Sequence, residues 1–242
     1  MSRAIAMWSG PRNISTAMMR AWENRSDCAV VDEPFYACYL HETGADHPYR
    51  EAILASQAIS REVVIQALIA SQETPLFYQK HMTHHMPVGC DLSWTRGLSH
   101  VFLIRSPSEV IASYLKKMPS VTESDIGIVR QRALYEEIAQ ITGDDPIVID
   151  GADVLRDPEA VLKALCAALD IPWSDRMLSW PAGPRDSDGV WAPHWYQVVE
   201  SSTRFGPYRA PQHALPAQAQ ALALAMDPHY EALASRRLRP KA

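Results

Sequence analysis

The sequence is short of cysteines placed to pair. Cys28, Cys38, Cys90 and Cys166 are scattered, and no two stand in a CxxC arrangement. That spacing speaks against a disulfide framework and reads as reduced thiols in a reducing compartment. No apolar run approaches membrane-spanning length, and no hydrophobic stretch of a signal peptide is seen. Neither sign of charge dominates: 23 Lys and Arg stand against 28 Asp and Glu, for a net charge of -5. That balance argues against broad nucleic-acid binding and leaves room for a local basic pocket. Internal repeats, low-complexity blocks and long linkers are absent too. These absences lead us to expect a cytoplasmic protein with no nucleic-acid and no membrane partner. The Walker A pattern G-x-x-x-x-G-K-[ST] is also missing, since no Gly-Lys pair occurs.

What remains is an ordinary globular composition, 47% hydrophobic and 21% charged. A chain of 242 residues suits one α/β domain with a sizeable core, expected to span residues 1–242. Its opening stretch organises the rest. Ala4–Trp8 is a short apolar run, long enough for a buried parallel strand. Ser9–Ile14 is a small-residue turn carrying Arg12, and from Ser15 onward Ala17, Met18, Ala21 and Trp22 recur at helical spacing. Strand, tight loop and helix start together present backbone N–H groups and a positive dipole end to an anion. Arg12 adds a full charge, and Ser15 and Thr16 add hydroxyl donors. The same stretch also reads as an ordinary βα turn with a capping serine.

Cys28–Asp32 reads as a second strand ending in Asp32 and Glu33, two carboxylates at the edge where open α/β sheets bind ligands. Solvating a loop is the other reading of that pair. Residues 39–49 read as an irregular surface loop, and 50–71 as a helical region broken near Ser60. Leu76–Gln79 is a strand signal that runs into Lys80, His81, His84 and His85. A zinc site, a structural role, or a general base beside Lys80 are the readings of those histidines. Ser99–Ile104 is the clearest buried strand. Arg105 follows at its end, then Ser106 as an N-cap, Pro107 at the first helical position and Glu109 three residues after the cap. Lys116–Ser124 is a connection placed to cover a site. A helix is expected over 125–141, a strand at Ile147–Ile149, and a further helix up to Leu169. From about 173 to 210 the chain turns aromatic and loop-rich with interleaved arginines, a lid or acceptor pocket or else a satellite core. Residues 214–233 read as an alanine-rich helix interrupted by Pro216 and Pro228, and 236–241 as a basic tail. Alternating strands and helices predict a parallel sheet with helices on both faces.

Three separated segments within residues 4–173 resemble the sulfotransferase family. Pro11, Arg12, Ser15 and Thr16 match its 5′-phosphosulfate loop, Pro-Lys/Arg-Ser-Gly-Ser/Thr-Thr, with Asn13 and Ile14 in place of Ser-Gly. Arg105, Pro107, Ser113 and Tyr114 fit its Arg-x-Pro-x-x-x-x-x-Ser-Tyr segment position for position. The run from Ile147 to Trp173 resembles a late architectural segment, with Asp170 where glycine is usual. The resemblance implies a P-loop NTPase-like α/β fold. It also implies transfer of a sulfuryl group from 3′-phosphoadenosine 5′-phosphosulfate (PAPS) to a hydroxyl or amine of a small-molecule acceptor, with 3′,5′-ADP (PAP) as product and no metal. Arg12 takes the position of the family's loop lysine. Asn13, Ser15 and Thr16 are then expected to hold the 5′-phosphate, and Arg105 and Ser113 the 3′-phosphate. Lys80 resembles the lysine at the end of the third major strand. His84 or His85 is the expected base, with His81 left open because Met82 stands where the family has Lys-x-His. A homodimer is left open as well. The alternatives are an ATP-dependent small-molecule kinase, or a catalytically silent nucleotide-binding or interaction domain.

Overall fold

The computed structural model describes residues 2–210 and 214–240, so Lys241 of the basic tail lies outside the described residues. The strands β1 (Arg3–Ser9), β2 (Cys28–Asp32), β3 (Leu76–Met82), β4 (Ser99–Ile104) and β5 (Ile147–Asp150) form one sheet. It has five strands in the order β2-β3-β1-β4-β5, and every pair is parallel. The helices are α1 (Ser15–Glu23), α2 (Tyr36–Thr43), α3 (Arg50–Ser56), α4 (Arg61–Ile69), α5 (Pro107–Tyr114), α6 (Glu123–Ile126), α7 (Ile128–Thr142), α8 (Gly151–Arg156), α9 (Pro158–Ala168), α10 (Ala192–Trp195), α11 (Gln197–Glu200) and α12 (Ala217–Ala234). The expected α/β architecture, a parallel sheet flanked by helices, is observed.

A parallel sheet buries both faces, so its strands are apolar throughout rather than alternating with polar residues. β1 shows this, being fully buried from Ile5 to Ser9. The period of two still sorts side chains by face. Ala6, Trp8, Phe77, Phe102 and Val148 pack on one face with residues of α5, α7 and α12. Ile5, Met7, Tyr78, Val101 and Ile149 pack on the other with α1 and α9. The same alternation sends Lys80 and His81 to opposite faces of β3.

Register places the strand ends side by side. Asp32 pairs with Lys80, Met7 with Lys80, and Ser9 with both Met82 and Leu103. The loop after β1 therefore leaves the sheet between β3 and β4, at the edge where open α/β sheets take ligands.

Several local expectations are corrected. Residues 39–43 are helical, as the second half of α2, which buries Tyr36, Cys38 and Leu40 and stops at Gly44 with φ 67°. The helix expected over 125–141 is two helices, split at Gly127 with φ 72°. Ser106 stands at the start of α5 but makes no side-chain cap, and its hydroxyl meets that of Ser108 instead. Pro228 lies inside α12 without ending it. Among the described residues no single helix is long and apolar enough to cross a membrane.

Candidate active site

The C-terminal edge of the sheet opens into a cavity of about 850 Å³. Arg12, Asn13, Ser15 and Thr16 form one wall, and Glu33, Lys80, His84 and His85 another. The first wall is the turn into α1. Ile14 sits at φ -88°, ψ 24°, with a negative φ, so its backbone does not require the glycine usual there. The left-handed conformation falls two residues earlier, at Arg12 with φ 55°. Strain of this kind in a non-glycine residue concentrates at functional sites. α1 starts with no side-chain cap and no acidic residue in its first turn, leaving its positive end toward the cavity. The Asn13 side chain is engaged within the protein, its amide donating to Leu103 O (3.1 Å) and its oxygen accepting from Ile14 N–H (2.8 Å). It also touches the neighbourhood of Gly151, where a Cβ would lie 2.5 Å from Asn13 Oδ1. Asn13 thus braces the loop with its side chain.

Arg105, Ser113 and Arg12 converge. Arg12 Nε donates to Ser113 Oγ at 3.1 Å, and its guanidinium lies over the Tyr114 ring. Arg105 Nη1 donates to the backbone oxygen of Arg12, and its Nε donates to Glu109 Oε2 at 3.2 Å. Tyr208 donates to the other oxygen of Glu109 at 2.7 Å. The pKa of Arg12 is lowered, first by burial and further by Arg105. Two guanidinium groups near an uncapped helix start concentrate positive charge at this corner of the sheet.

Lys80 is 1% exposed. All three of its ammonium protons are engaged, by Asp32 Oδ1 (2.7 Å), Glu33 Oε1 (2.6 Å) and Tyr196 OH (2.7 Å). Tyr196 donates in turn to Asp32 Oδ2 at 2.7 Å and accepts from Trp191 Nε1 at 2.9 Å. Burial works against the ammonium, but Asp32 and Glu33 outweigh it and raise Lys80 well above its usual value. Burial raises Glu33 above the usual carboxylate range, against the pull of Lys80. Asp32 and Glu33 are therefore partners of a buried cation, and the loop-solvating reading of them falls.

The histidines separate. His81 lies on the opposite face of the sheet, stacked on Trp8 with ring centroids 4.4 Å apart and its Nε2 3.1 Å from Gln79 Oε1. It is a core residue and does not reach the cavity. Burial holds it neutral, down to about 3. His84 and His85 follow β3 in a tight turn and line the cavity. Burial and His47 bring His84 to about 4, and burial drives His85 well below its usual value. Both are kept as neutral imidazoles, the form a base requires. Among the described residues, no group of three or more His, Cys, Asp or Glu side chains is arranged to hold a metal ion.

Several wall residues were not singled out from the sequence. Tyr36 hydrogen-bonds His47 at 2.8 Å, and Trp191, Trp195 and Tyr196 come from the aromatic segment. Other parts of that segment do not reach the cavity, since Trp180 and Phe205 pack in the core against the sheet. Its Arg185 turns away to Glu23 and to the oxygen of Pro181. Only the run of aromatic residues between 173 and 210 signalled the wall.

The sequence profile of the sulfotransferase domain matches residues 3–237. Among curated proteins the chain is similar to branched-chain-amino-acid aminotransferase-like proteins 2 and 1 of Arabidopsis thaliana. It is 36% identical to the first over 210 residues and 38% identical to the second over 202. These matches cover 86% and 83% of this chain but only 37% and 36% of the relatives' lengths. Among solved structures, a sulfotransferase from Alicyclobacillus acidocaldarius superposes with a TM-score of 0.56 at 10% identity, over 98% of each chain. The sulfotransferase domain of the Synechococcus PCC 7002 olefin synthase gives 0.54 at 17% identity, over 93% of this chain and 95% of that one. At such identities the two structures speak for the fold alone. With the profile spanning nearly every residue, and the fold shared with solved sulfotransferases, the chain belongs to the sulfotransferase-domain family.

Proposed function

We propose that this chain moves a sulfuryl group from PAPS to a hydroxyl or amine of a small acceptor. The observation that carries the reading is the meeting of Arg12, Arg105 and Ser113 beside the uncapped start of α1, with Arg12 itself on the wall of a cavity that also holds neutral histidines. The residues present suit an adenosine bisphosphate. Two guanidinium groups, three hydroxyls and free helix N–H groups are donors only or donors by choice, as phosphate and sulfate oxygens need. PAPS supplies an activated sulfuryl group on a good leaving phosphate.

The chain's own residues would divide the remaining work. Arg12 and the N–H groups and hydroxyls of Ser15 and Thr16 hold the 5′ end and stabilise charge as it grows on the leaving oxygen. Arg105 and Ser113 read the 3′-phosphate. His84 or His85 takes the acceptor proton, while Lys80 keeps Asp32 and Glu33 in place. A sulfuryl group carries less charge than a phosphoryl group, so side-chain cations and a helix dipole suffice by the positioning logic of phosphoryl transfer. The test is calorimetric titration with PAP and with AMP in the absence of magnesium, followed by an acceptor screen with PAPS. Tighter binding of PAP and sulfation of some acceptor are expected. Equal affinity for the two nucleotides would remove the 3′-phosphate assignment and favour a kinase-type site. PAP binding with no turnover on any acceptor would favour a silent domain.

A further inference from the structure

We propose that Glu33 is the positioning residue for His85: its free carboxylate oxygen, facing His85 Nε2, selects the imidazole nitrogen that receives the acceptor's proton and balances the charge that then forms. The inference rests on the sulfotransferase reading for the identity of the reaction, and on the geometry of this cluster for everything else.

His85 is 2% exposed, and neither ring nitrogen has a hydrogen-bond partner among the described residues. A buried imidazole with two orphaned nitrogens needs an explanation. Its place is nevertheless fixed. The ring lies between Tyr36 and Tyr39, with centroids at 4.6 and 5.0 Å and interplanar angles of 23° and 28°. Its backbone oxygen accepts from Arg61 Nη2 at 2.8 Å, and Arg61 is clamped by both oxygens of Glu42. The group is held still and left unpaired, as a base waiting for a substrate would be.

Glu33 Oε2 stands 3.9 Å from His85 Nε2. Its sister oxygen Oε1 is taken by Lys80, and Oε2 accepts no hydrogen bond among the described residues. Asp32 has no such spare oxygen, since Lys80 holds one, and Tyr196 and the N–H of Gly189 the other. Glu33 is also held at φ 42°, a left-handed conformation that is strained for a glutamate. Catalytic hydrogen bonds are often long in a free enzyme and tighten when substrate enters. Charge points the same way: with both carboxyls ionised, two carboxylates against one ammonium leave the cluster one negative charge in excess, on the side that faces His85. The other groups around the ring are His84 from its own turn, Lys80 and His81 from β3, and His47 from the loop after α2. All of these oppose a positive imidazole, and Glu33, 3.9 Å away, is the carboxylate placed to offset them. The two groups are shifted toward each other, Glu33 upward and His85 downward, both first by burial.

In the step itself the acceptor O–H or N–H bond breaks and its proton goes to Nδ1 of His85, Nε2 being turned to Glu33. The acceptor lone pair forms the new bond to sulfur. The bond from sulfur to the bridging oxygen breaks, and its electron pair leaves with PAP. The proton on His85 passes to water after product release.

The wild-type protein supplies the first test, a ¹⁵N spectrum of its histidine side chains. His85 should be the Nε2–H tautomer with a bare Nδ1, and an Nδ1–H tautomer overturns the proposal. The second test is Glu33→Gln, which keeps an acceptor for Lys80. It should lower kcat/KM by about a hundred-fold, leave PAP affinity within about two-fold, and move the acid limb of the pH–rate profile to lower pH, because a negative neighbour no longer supports the imidazolium. Glu33→Asp should recover part of the rate. A lower rate with an unmoved acid limb means that Glu33 is merely structural and overturns the proposal, as does an unchanged rate. If the wild type neither binds PAP nor turns over, the sulfotransferase reading fails, and the tautomer and the titration of His85 in wild type and variant still judge the pair.

Discussion

Replacing Arg105 by alanine should strip the site of its preference for PAP over AMP. Arg105 has five N–H donors, of which one serves the backbone oxygen of Arg12 and one serves Glu109. The rest are available to a ligand, and the side chain is 26% exposed, so solvent screens it only in part. A hydrogen bond to a charged group contributes about 1.5–3 kcal/mol, which is roughly ten- to a hundred-fold in affinity for PAP. AMP has no 3′-phosphate and should lose only what the brace on Arg12 contributes. That bond joins a guanidinium to a carbonyl oxygen, so it too is charge-assisted, and its loss weakens both nucleotides alike. The brace cancels in the ratio of the two affinities, which should therefore fall by about ten- to a hundred-fold.

The assay is calorimetric titration of folded wild type and variant with both nucleotides at one ionic strength, because exposed charges are screened by salt. Folding needs its own check. Glu109 is 7% exposed, and the substitution leaves it with Tyr208 but without its cation. Arg105→Lys keeps a charge there and should fall between wild type and Arg105→Ala. Ser113→Ala should show the same selectivity with a smaller loss, since a single hydroxyl contributes less. Equal losses for PAP and AMP would refute the reasoning, leaving Arg105 as a brace for the Arg12 backbone and nothing more.

The sheet was legible because each strand is a short apolar run with a polar or breaking residue after it. β2 and β4 have the predicted boundaries, Cys28–Asp32 and Ser99–Ile104. β3 runs to Met82, through residues that look polar and are buried without exception. The first half of its continuation, Lys80 and His81, is tolerated in a buried strand only because partners arrive from elsewhere. α2 was illegible in the sequence. Its buried side chains are Tyr36, Ala37, Cys38 and Leu40, while the polar residues after Leu40 made the region look like loop. Helix propensity is a weak signal there, and packing decides.

At the site, the nucleotide side was readable because its residues are close in sequence and tied to a strand–turn–helix. The acceptor side was not. Alternation along β3 implies that Lys80 and His81 part company, but which one faces the cavity depends on which face α1 covers. The partners of Lys80 come from β2 through parallel register and from Tyr196, 116 positions away. Nothing local to Lys80 announces a partner at that separation. The sequence placed Lys80 only beside a histidine cluster, whereas the folded chain engages every proton on it.

Three further outcomes follow. Turnover should survive EDTA, and abolition by EDTA with rescue by zinc or magnesium would overturn the metal-free mechanism. Lys80→Met should destabilise the fold by about 3–5 kcal/mol, because it leaves Asp32 and Glu33 buried without their cation; a urea midpoint close to wild type would refute the buried cluster. The histidines should divide between stability and rate. His81 is near 3 in the folded protein and ordinary when unfolded, so below about pH 6.5 only the unfolded chain takes up its proton. Stability should then fall as pH drops, by up to about 1.4 kcal/mol per pH unit from this residue, until the folded form protonates. His81→Phe should flatten that slope in urea melts between pH 7 and 5 and should keep turnover once the folded fraction is accounted for. His85→Ala should do the reverse, lowering turnover by about a hundred-fold while PAP still binds. His81 faces Trp8 and Gln79 on the far side of β3, and His85 faces the cavity, so the two effects have no shared cause. Equal loss of turnover in both variants would contradict the placement of His81 in the core.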